Sequence, residues 1–222
     1  MNVVLFGGTG MIGQGVLREC LRASDVNRVL TIGRSATGVQ NAKLQDLVHA
    51  DLWNYSAIEE QLRGFDACFF CLGVTSTGMS EADYTRVTYG ITVAAAEMLC
   101  RLNPDMTFVF VSGAGADSTE RGRIMWARVK GKTENAIFHL AFKASFAFRP
   151  GAVQPMHGER SRTAAYRVLY SLTKPLLPLL KRMWPNQILT TEQFGRAMLI
   201  VVRQGAPKRV LESADINALA PS

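Results

Sequence analysis

Several residue types that would give an easy classification are scarce in this 222-residue chain: four cysteines, three histidines and three tryptophans. The cysteines, Cys20, Cys68, Cys71 and Cys100, supply one C-x-x-C pair with no second pair to complete a zinc site, so no metal site is expected. Cys68 and Cys71 fall in an apparent strand, where side chains three apart point to opposite faces. Reduced, buried thiols follow, and they suit a cytoplasmic protein. No uninterrupted apolar run is long enough to span a bilayer. No charged n-region with an apolar segment behind it opens the chain. Stable membrane insertion and export are therefore not expected. There are 25 Lys and Arg against 18 Asp and Glu, a net +7. The cations are spread along the chain without any RNA- or DNA-binding motif, which argues against a nucleic-acid partner.

What is present is a hydrophobic fraction of 48% with 19% charged residues, enough for one α/β domain over 1–222 with a sizeable core. The stretch that organises it comes first. Val3, Val4, Leu5 and Phe6 read as a buried parallel strand. Gly7-Gly8-Thr9-Gly10-Met11-Ile12-Gly13 follows, and then apolar residues at Ile12, Val16, Leu17, Cys20 and Leu21 recur with helical spacing. A G-x-x-G-x-x-G turn between strand and helix is the setting a dinucleotide pyrophosphate requires. Gly7 permits the tight turn, Gly10 lets backbone approach the phosphates, and Gly13 lets helix and strand pack closely. Thr9, Met11 and Ile12 complete the loop, whose helix N-terminus attracts anions.

The second strand, 28–33, ends in Gly33-Arg34-Ser35. NAD binders usually place an acid here for the ribose 2′-hydroxyl, and this chain has none. A guanidinium pairs with a 2′-phosphate, so NADP(H) is favoured over NAD(H). A weaker strand over 44–50 leads to Asp51-Leu52, where Asp51 is either an acceptor for the adenine amino group or a helix N-cap. A short helix over 54–63 and a strand over 67–72 follow. By the strand-end rule Cys71, Leu72 and Gly73 border the cofactor. Ser80-Glu81-Ala82-Asp83 has capping-box spacing and starts a helix to about 102. A strand over 107–111 ends at Ser112. The loop 113–116 leads to a helix over about 121–142, whose Arg121, Arg123, Arg128, Lys130 and Lys132 read as a solvated basic face or an attractor of anions. A sixth strand over 145–148 ends in Arg149-Pro150-Gly151. Beyond it, 160–173 is helical and Pro175, Pro178 and Pro185 interrupt the continuation, so about 152–190 forms a small substrate-side cap. Tyr166, Tyr170 and His157 lie in or beside it, and 169–184 covers the substrate, meets a second subunit or touches a membrane surface. Thr190-Thr191-Glu192-Gln193 opens a helix to about 203, and 209–211 adds an edge strand. The alternation gives a doubly wound parallel sheet in a three-layer α/β/α sandwich, a Rossmann architecture with a C-terminal cap.

With these pieces in order, the chain resembles the atypical short-chain dehydrogenases/reductases, in the branch of NmrA-like and Tat-interacting-protein-like proteins. The matching segments are Gly7 to Gly13, Gly33-Arg34, Asp51-Leu52, Cys71-Leu72-Gly73, Ser112-Gly113-Ala114-Gly115-Ala116, Lys130-Gly131-Lys132-Thr133-Glu134 and Phe148-Arg149-Pro150-Gly151. The resemblance implies NAD(P)-linked chemistry by Ser, Tyr and Lys, the last two as Tyr-x-x-x-Lys on one helix face. Ser112 and Lys130 match as catalytic residues, and Lys130 and Pro150 join the cofactor-binding set. The Tyr position is Trp126. An indole N–H donates a hydrogen bond but does not release a proton near neutral pH. Gly113 and Thr88 also depart from the family pattern. The expectation is an NADP(H)-dependent oxidoreductase acting on a small carbonyl or nucleotide-sugar-like substrate. The alternative is an NADP(H)-binding redox sensor or regulator. The long helices of the resembled superfamily imply a homodimer.

Overall fold

Val3, Val4, Leu5 and Phe6 are fully excluded from solvent, as a strand covered on both faces must be. Their alternation splits them between two cores. Val3 and Leu5 join Val16, Leu17, Cys20, Phe194 and Met198 on one face; Val4 and Phe6 join Leu62, Leu99, Phe108 and Ile137 on the other. The computed structural model describes residues 1–159 and 188–221. Around β1 (Asn2–Phe6) lie β2 (Arg28–Gly33), β3 (Leu44–Val48), β4 (Ala67–Phe70), β5 (Thr107–Val111), β6 (Ala144–Arg149) and an edge strand β9 (Val210–Glu212). All pair in parallel in the order β3-β2-β1-β4-β5-β6-β9. The winding reverses between β1 and β4, which opens a crevice at their carboxyl ends.

Two helical layers cover the sheet. On one face α1 (Met11–Arg22) packs against α5 (Thr191–Gln204), with α6 (Ser213–Leu219) beside it. The approach is close enough to exclude a methyl group: a Cβ on Gly15 would sit 2.6 Å from Cβ of Thr191, and one on Gly195 2.9 Å from Cγ of Glu19. The other face carries a 3-10 helix (Ser56–Leu62), α3 (Ile91–Leu102) and α4 (Met125–His139). Chain 81–102 runs as α2 (Glu81–Thr85), one π turn (Arg86–Gly90) and α3. Ser80 caps it by accepting from the Asp83 N–H. Thr190 and Gln193 form the capping box expected at α5.

Cys68 and Cys71 belong to opposite cores, as their spacing requires. Other boundaries move. The short helix expected over 54–63 is a 3-10 helix from Ser56 to Leu62. The helix expected over 121–142 runs only from Met125 to His139. Asp117 is the reason: its carboxylate accepts from Thr119 N and Oγ1 and from Gly122 N, folding 117–122 into a turn. The expected basic face is consequently not one face. Arg121 and Arg123 precede the helix, Arg128 pairs with Glu81 at 2.6 Å, and Lys132 lies over the Tyr89 ring. A short parallel pair, β7 (Ala152–Gln154) with β8 (Ile188–Thr190), and helix α6 were not foreseen. The cap helix over 160–173, Tyr166, Tyr170 and the segment 169–184 lie outside the described residues. Among the described residues no helix is long and apolar enough to cross a membrane.

Candidate functional site

The turn after β1 has the geometry a phosphate requires. Gly7 sits at φ +77°, and a Cβ there would meet the backbone of Cys71 and Leu72 at 2.7 Å, so β1 and β4 touch through it. A Cβ on Gly13 would fall 2.1 Å from the Gly7 carbonyl oxygen. Gly10 donates to that carbonyl at 2.9 Å and stands at the N-cap of α1 without any side-chain cap. The first turn of α1 holds no acid. Backbone donors and the positive helix end therefore face an open space, which fits a dinucleotide pyrophosphate.

A pocket lies beside it, at the end of β2. Gly7, Gly8, Thr9, Arg34, Ser35 and Thr37 line this pocket, with Leu52 and Leu72 forming its apolar wall. Arg34 and Ser35 are exposed at the end of β2. Asp51 is exposed and its Oδ1 accepts from Trp53 N, while the Leu52 side chain is buried. An acid that sequence reading overlooked lies behind this pocket. Asp46 of β3 accepts from Thr31 Oγ1, from Thr37 N at 3.0 Å and from Thr37 Oγ1 at 2.9 Å.

At the carboxyl end of β5, α4 brings Trp126, Lys130 and Glu134 to successive turns of one helix face. Lys130 donates to the Val111 carbonyl at 3.3 Å, and its ammonium lies 5.3 Å from the centre of the Phe110 ring. Burial lowers its pKa to about 8, against the opposing pull of the Glu134 carboxylate. The half-buried Trp126 ring lies over the 113–115 loop, where Cβ atoms on Gly113 and Gly115 would meet it at 3.9 and 3.6 Å. The loop is also held from β6, by Ala114 N–H donating to the Pro150 carbonyl at 3.0 Å. A Cβ on Gly131 would overlap the Asp117 carbonyl at 1.8 Å, so only glycine lets α4 close on the loop.

Ser112 is buried, and its hydroxyl donates to Oε1 of Glu134. Glu134 is fully buried and takes a two-pronged ion pair from Arg149, through Nε at 3.0 Å and Nη2 at 2.5 Å. Arg149 also reaches Ser118 and Glu212; the Glu134 carboxylate first, and Glu212 after it, raise its already high pKa. The hydrogen of Ser112 is thus directed into the protein, leaving its oxygen as an acceptor. Glu134 and Arg149 occur in segments the sequence reading quoted, but neither was singled out. The only signal for Glu134 was its i+4 spacing from Lys130. His157 stands 3.4 Å from Glu192 of α5 and lines a second pocket with Gly8 and Thr9 of the glycine turn. Cys71 packs under the Gly7 turn, where burial pushes its thiol pKa up.

The model of the NAD dependent epimerase/dehydratase family matches residues 3–121. The chain is 29% identical over 160 residues to the mitochondrial protein FMP52-2 of Scheffersomyces stipitis, covering 71% of this chain and 67% of that protein. It is 26% identical over 155 residues to HTATIP2 of Rattus norvegicus, covering 68% of this chain and 62% of that protein. Its fold matches a UDP-glucose 4-epimerase of Thermotoga maritima with a TM-score of 0.67, at 16% identity over 96% of this chain and 76% of the epimerase. The cytoplasmic placement is overturned by the relatives, since FMP52 proteins from several fungi are named mitochondrial. Reduced thiols, the basis of that expectation, do not distinguish one reducing compartment from another.

Proposed function

The chain belongs to the NAD dependent epimerase/dehydratase family, and from that premise we propose that it is an oxidoreductase of the atypical short-chain type that takes NADP(H) in preference to NAD(H). Its proposed substrate is a small carbonyl or nucleotide-sugar-like compound. The observation that carries the reading is the continuity of the strand ends. The uncapped α1 terminus, the Arg34 loop and the Ser112–Lys130 pair stand at the carboxyl ends of β1, β2 and β5 of one sheet. Arg34 supports the choice of cofactor, because a guanidinium replaces the acid that would repel a 2′-phosphate.

When bound, the nicotinamide supplies or takes a hydride. The remaining work falls to the chain. Lys130, with a pKa of about 8, holds the ribose hydroxyls and stabilises negative charge on a substrate oxygen. Ser112 does not donate to that oxygen, because its hydrogen goes to Glu134; its lone pairs accept only from a protonated substrate hydroxyl. Trp126 covers the position beside Lys130 without contributing a titratable proton. Proton delivery is the weak step, and this supports a second reading as a nicotinamide-dependent redox sensor with slow turnover. The fungal relatives' names support a mitochondrial setting. Helices α2, α3 and α4 are the proposed homodimer contact, and 152–190 the proposed cover over the substrate.

Calorimetric titration with NADPH and NADH tests the cofactor choice. NADPH binds about tenfold more tightly or better, the scale of a charge-assisted pair, and Arg34→Ala removes most of that margin. Equal affinities in the wild type refute it. NADPH consumption with an ortho-quinone or dicarbonyl then separates enzyme from sensor.

A further inference from the structure

Asp46 is a carboxylate at the middle of β3, beside the pocket that the NADP(H) reading assigns to adenosine and its 2′-phosphate. An acid in this neighbourhood ordinarily selects against a 2′-phosphate. We propose that Asp46 does the opposite: it is a specificity-determining residue that builds the seat for the 2′-phosphate by clamping the loop 34–37 back onto the sheet. The inference rests on the NADP(H) reading.

Three donors commit the carboxylate. Oδ1 accepts from the hydroxyl of Thr31, its cross-strand neighbour on β2. Oδ2 accepts from both the N–H and the hydroxyl of Thr37, at 3.0 and 2.9 Å. Thr31 precedes Arg34 and Thr37 follows it, so one carboxylate ties down both ends of the turn that carries Arg34 and Ser35. The clamp reaches the phosphate loop as well. A Cβ on Gly8 would stand 3.3 Å from the Cγ2 methyls of both Thr31 and Thr37. The two threonines thus present hydroxyls to Asp46 and methyls to the turn that holds the pyrophosphate. Gly8, Thr9, Arg34, Ser35 and Thr37 line the same pocket, so its two walls share one anchor. With its lone pairs directed at these donors, the carboxylate orders the loop instead of facing the ligand. An exposed loop carrying a long Arg side chain pays a large ordering entropy if it closes only on binding. Fixing the backbone beforehand removes part of that cost.

The test uses the whole chain and adenosine 2′,5′-bisphosphate, with adenosine 5′-monophosphate as reference, by calorimetry. The wild type prefers the bisphosphate. Asp46→Ala and Thr37→Val each lower that preference by about tenfold, and the double variant is no worse than either single change, because both break one clamp. Asp46→Asn also weakens the bisphosphate, since an amide cannot accept from all three donors. Amide hydrogen exchange of 34–37 quickens in every variant. Should Asp46→Ala fail to fold, Thr37→Val alone decides. The proposal is overturned if the variants keep the wild-type preference, or if Asp46→Asn binds the bisphosphate more tightly, which would mark Asp46 as a repelling acid. A wild type with no preference refutes the NADP(H) reading itself, and the clamp's role in specificity with it.

Discussion

Trp126→Tyr supplies the group that the site lacks, and the structure sets the size of its effect. Trp126 and Lys130 are one turn apart on α4, with Cβ atoms about 5–6 Å apart, and the effect is worked for a phenol oxygen at roughly 6 Å from the ammonium. At an effective dielectric constant of about 20, an ammonium at that distance stabilises a phenolate by about 3 kcal/mol. That is about two pKa units, enough to bring a phenol from about 10 to about 8. The Lys130 pKa of about 8 means that the ammonium is largely present at pH 7. A positioned acid of that strength contributes about 10²-fold or more. Indole and phenol differ in reach, so the expected gain in NADPH-linked reduction of an ortho-quinone is about tenfold or more. Trp126→Phe gains nothing. In the Tyr variant the rate falls as pH rises through about 8, because the phenol must be protonated to act. Stopped-flow and steady-state NADPH consumption across pH 6–10 (a range set by those pKa values) is the assay. A wild type as fast as the Tyr variant, or a Tyr variant without the alkaline decline, refutes the assignment of 126 as the acid position.

Gly13→Ala places a methyl where 2.1 Å separates it from the Gly7 carbonyl oxygen; NADPH binding by calorimetry falls below detection, and an unchanged affinity would contradict the phosphate-loop assignment. Arg149→Met leaves Glu134 charged and buried without its partner; chemical denaturation shows a loss of about 3–5 kcal/mol, and much of it returns in Arg149→Met combined with Glu134→Leu. Burial depresses the folded pKa of Lys130 to about 8 from the ordinary lysine value of 10.5. The folded protein therefore holds fewer protons than the unfolded chain between those values, and this group's penalty on stability is full below about pH 8 and fades as pH rises towards 10.5. Lys130→Met consequently raises the melting temperature by a few degrees at pH 7, a gain that shrinks towards pH 10.

The sheet was legible because parallel strands buried on both faces read as apolar runs; Val3 to Phe6 and Thr107 to Val111 show this plainly. The glycine turn was legible because its spacing is chemistry, not propensity. The start of α4 was misread because the pattern around Ile124 and Met125 runs on from residues that Asp117 folds into a turn. Asp46 and Glu134 gave no local signal as ligands of Thr37 and Ser112. Their meaning comes from strand register and from Arg149, which no periodicity links to Glu134. Strands β7 and β8 are three residues each, too short for alternation to register. Gly15 and Gly195 carry no signal in the sequence, since the purpose of each lies in the other's helix.

That last contact bears on the order in which the chain folds. Gly15 and Thr191 are far apart in the sequence, and the face of α1 that carries Gly15 is covered only when α5 packs against it. A growing or translocating polypeptide presents the glycine turn first and the helix that steadies it last. The glycine turn is therefore fully buttressed only once the chain over Thr191–Gln204 has folded against α1. The family-matched portion, 3–121, lacks the helix that covers this face of α1.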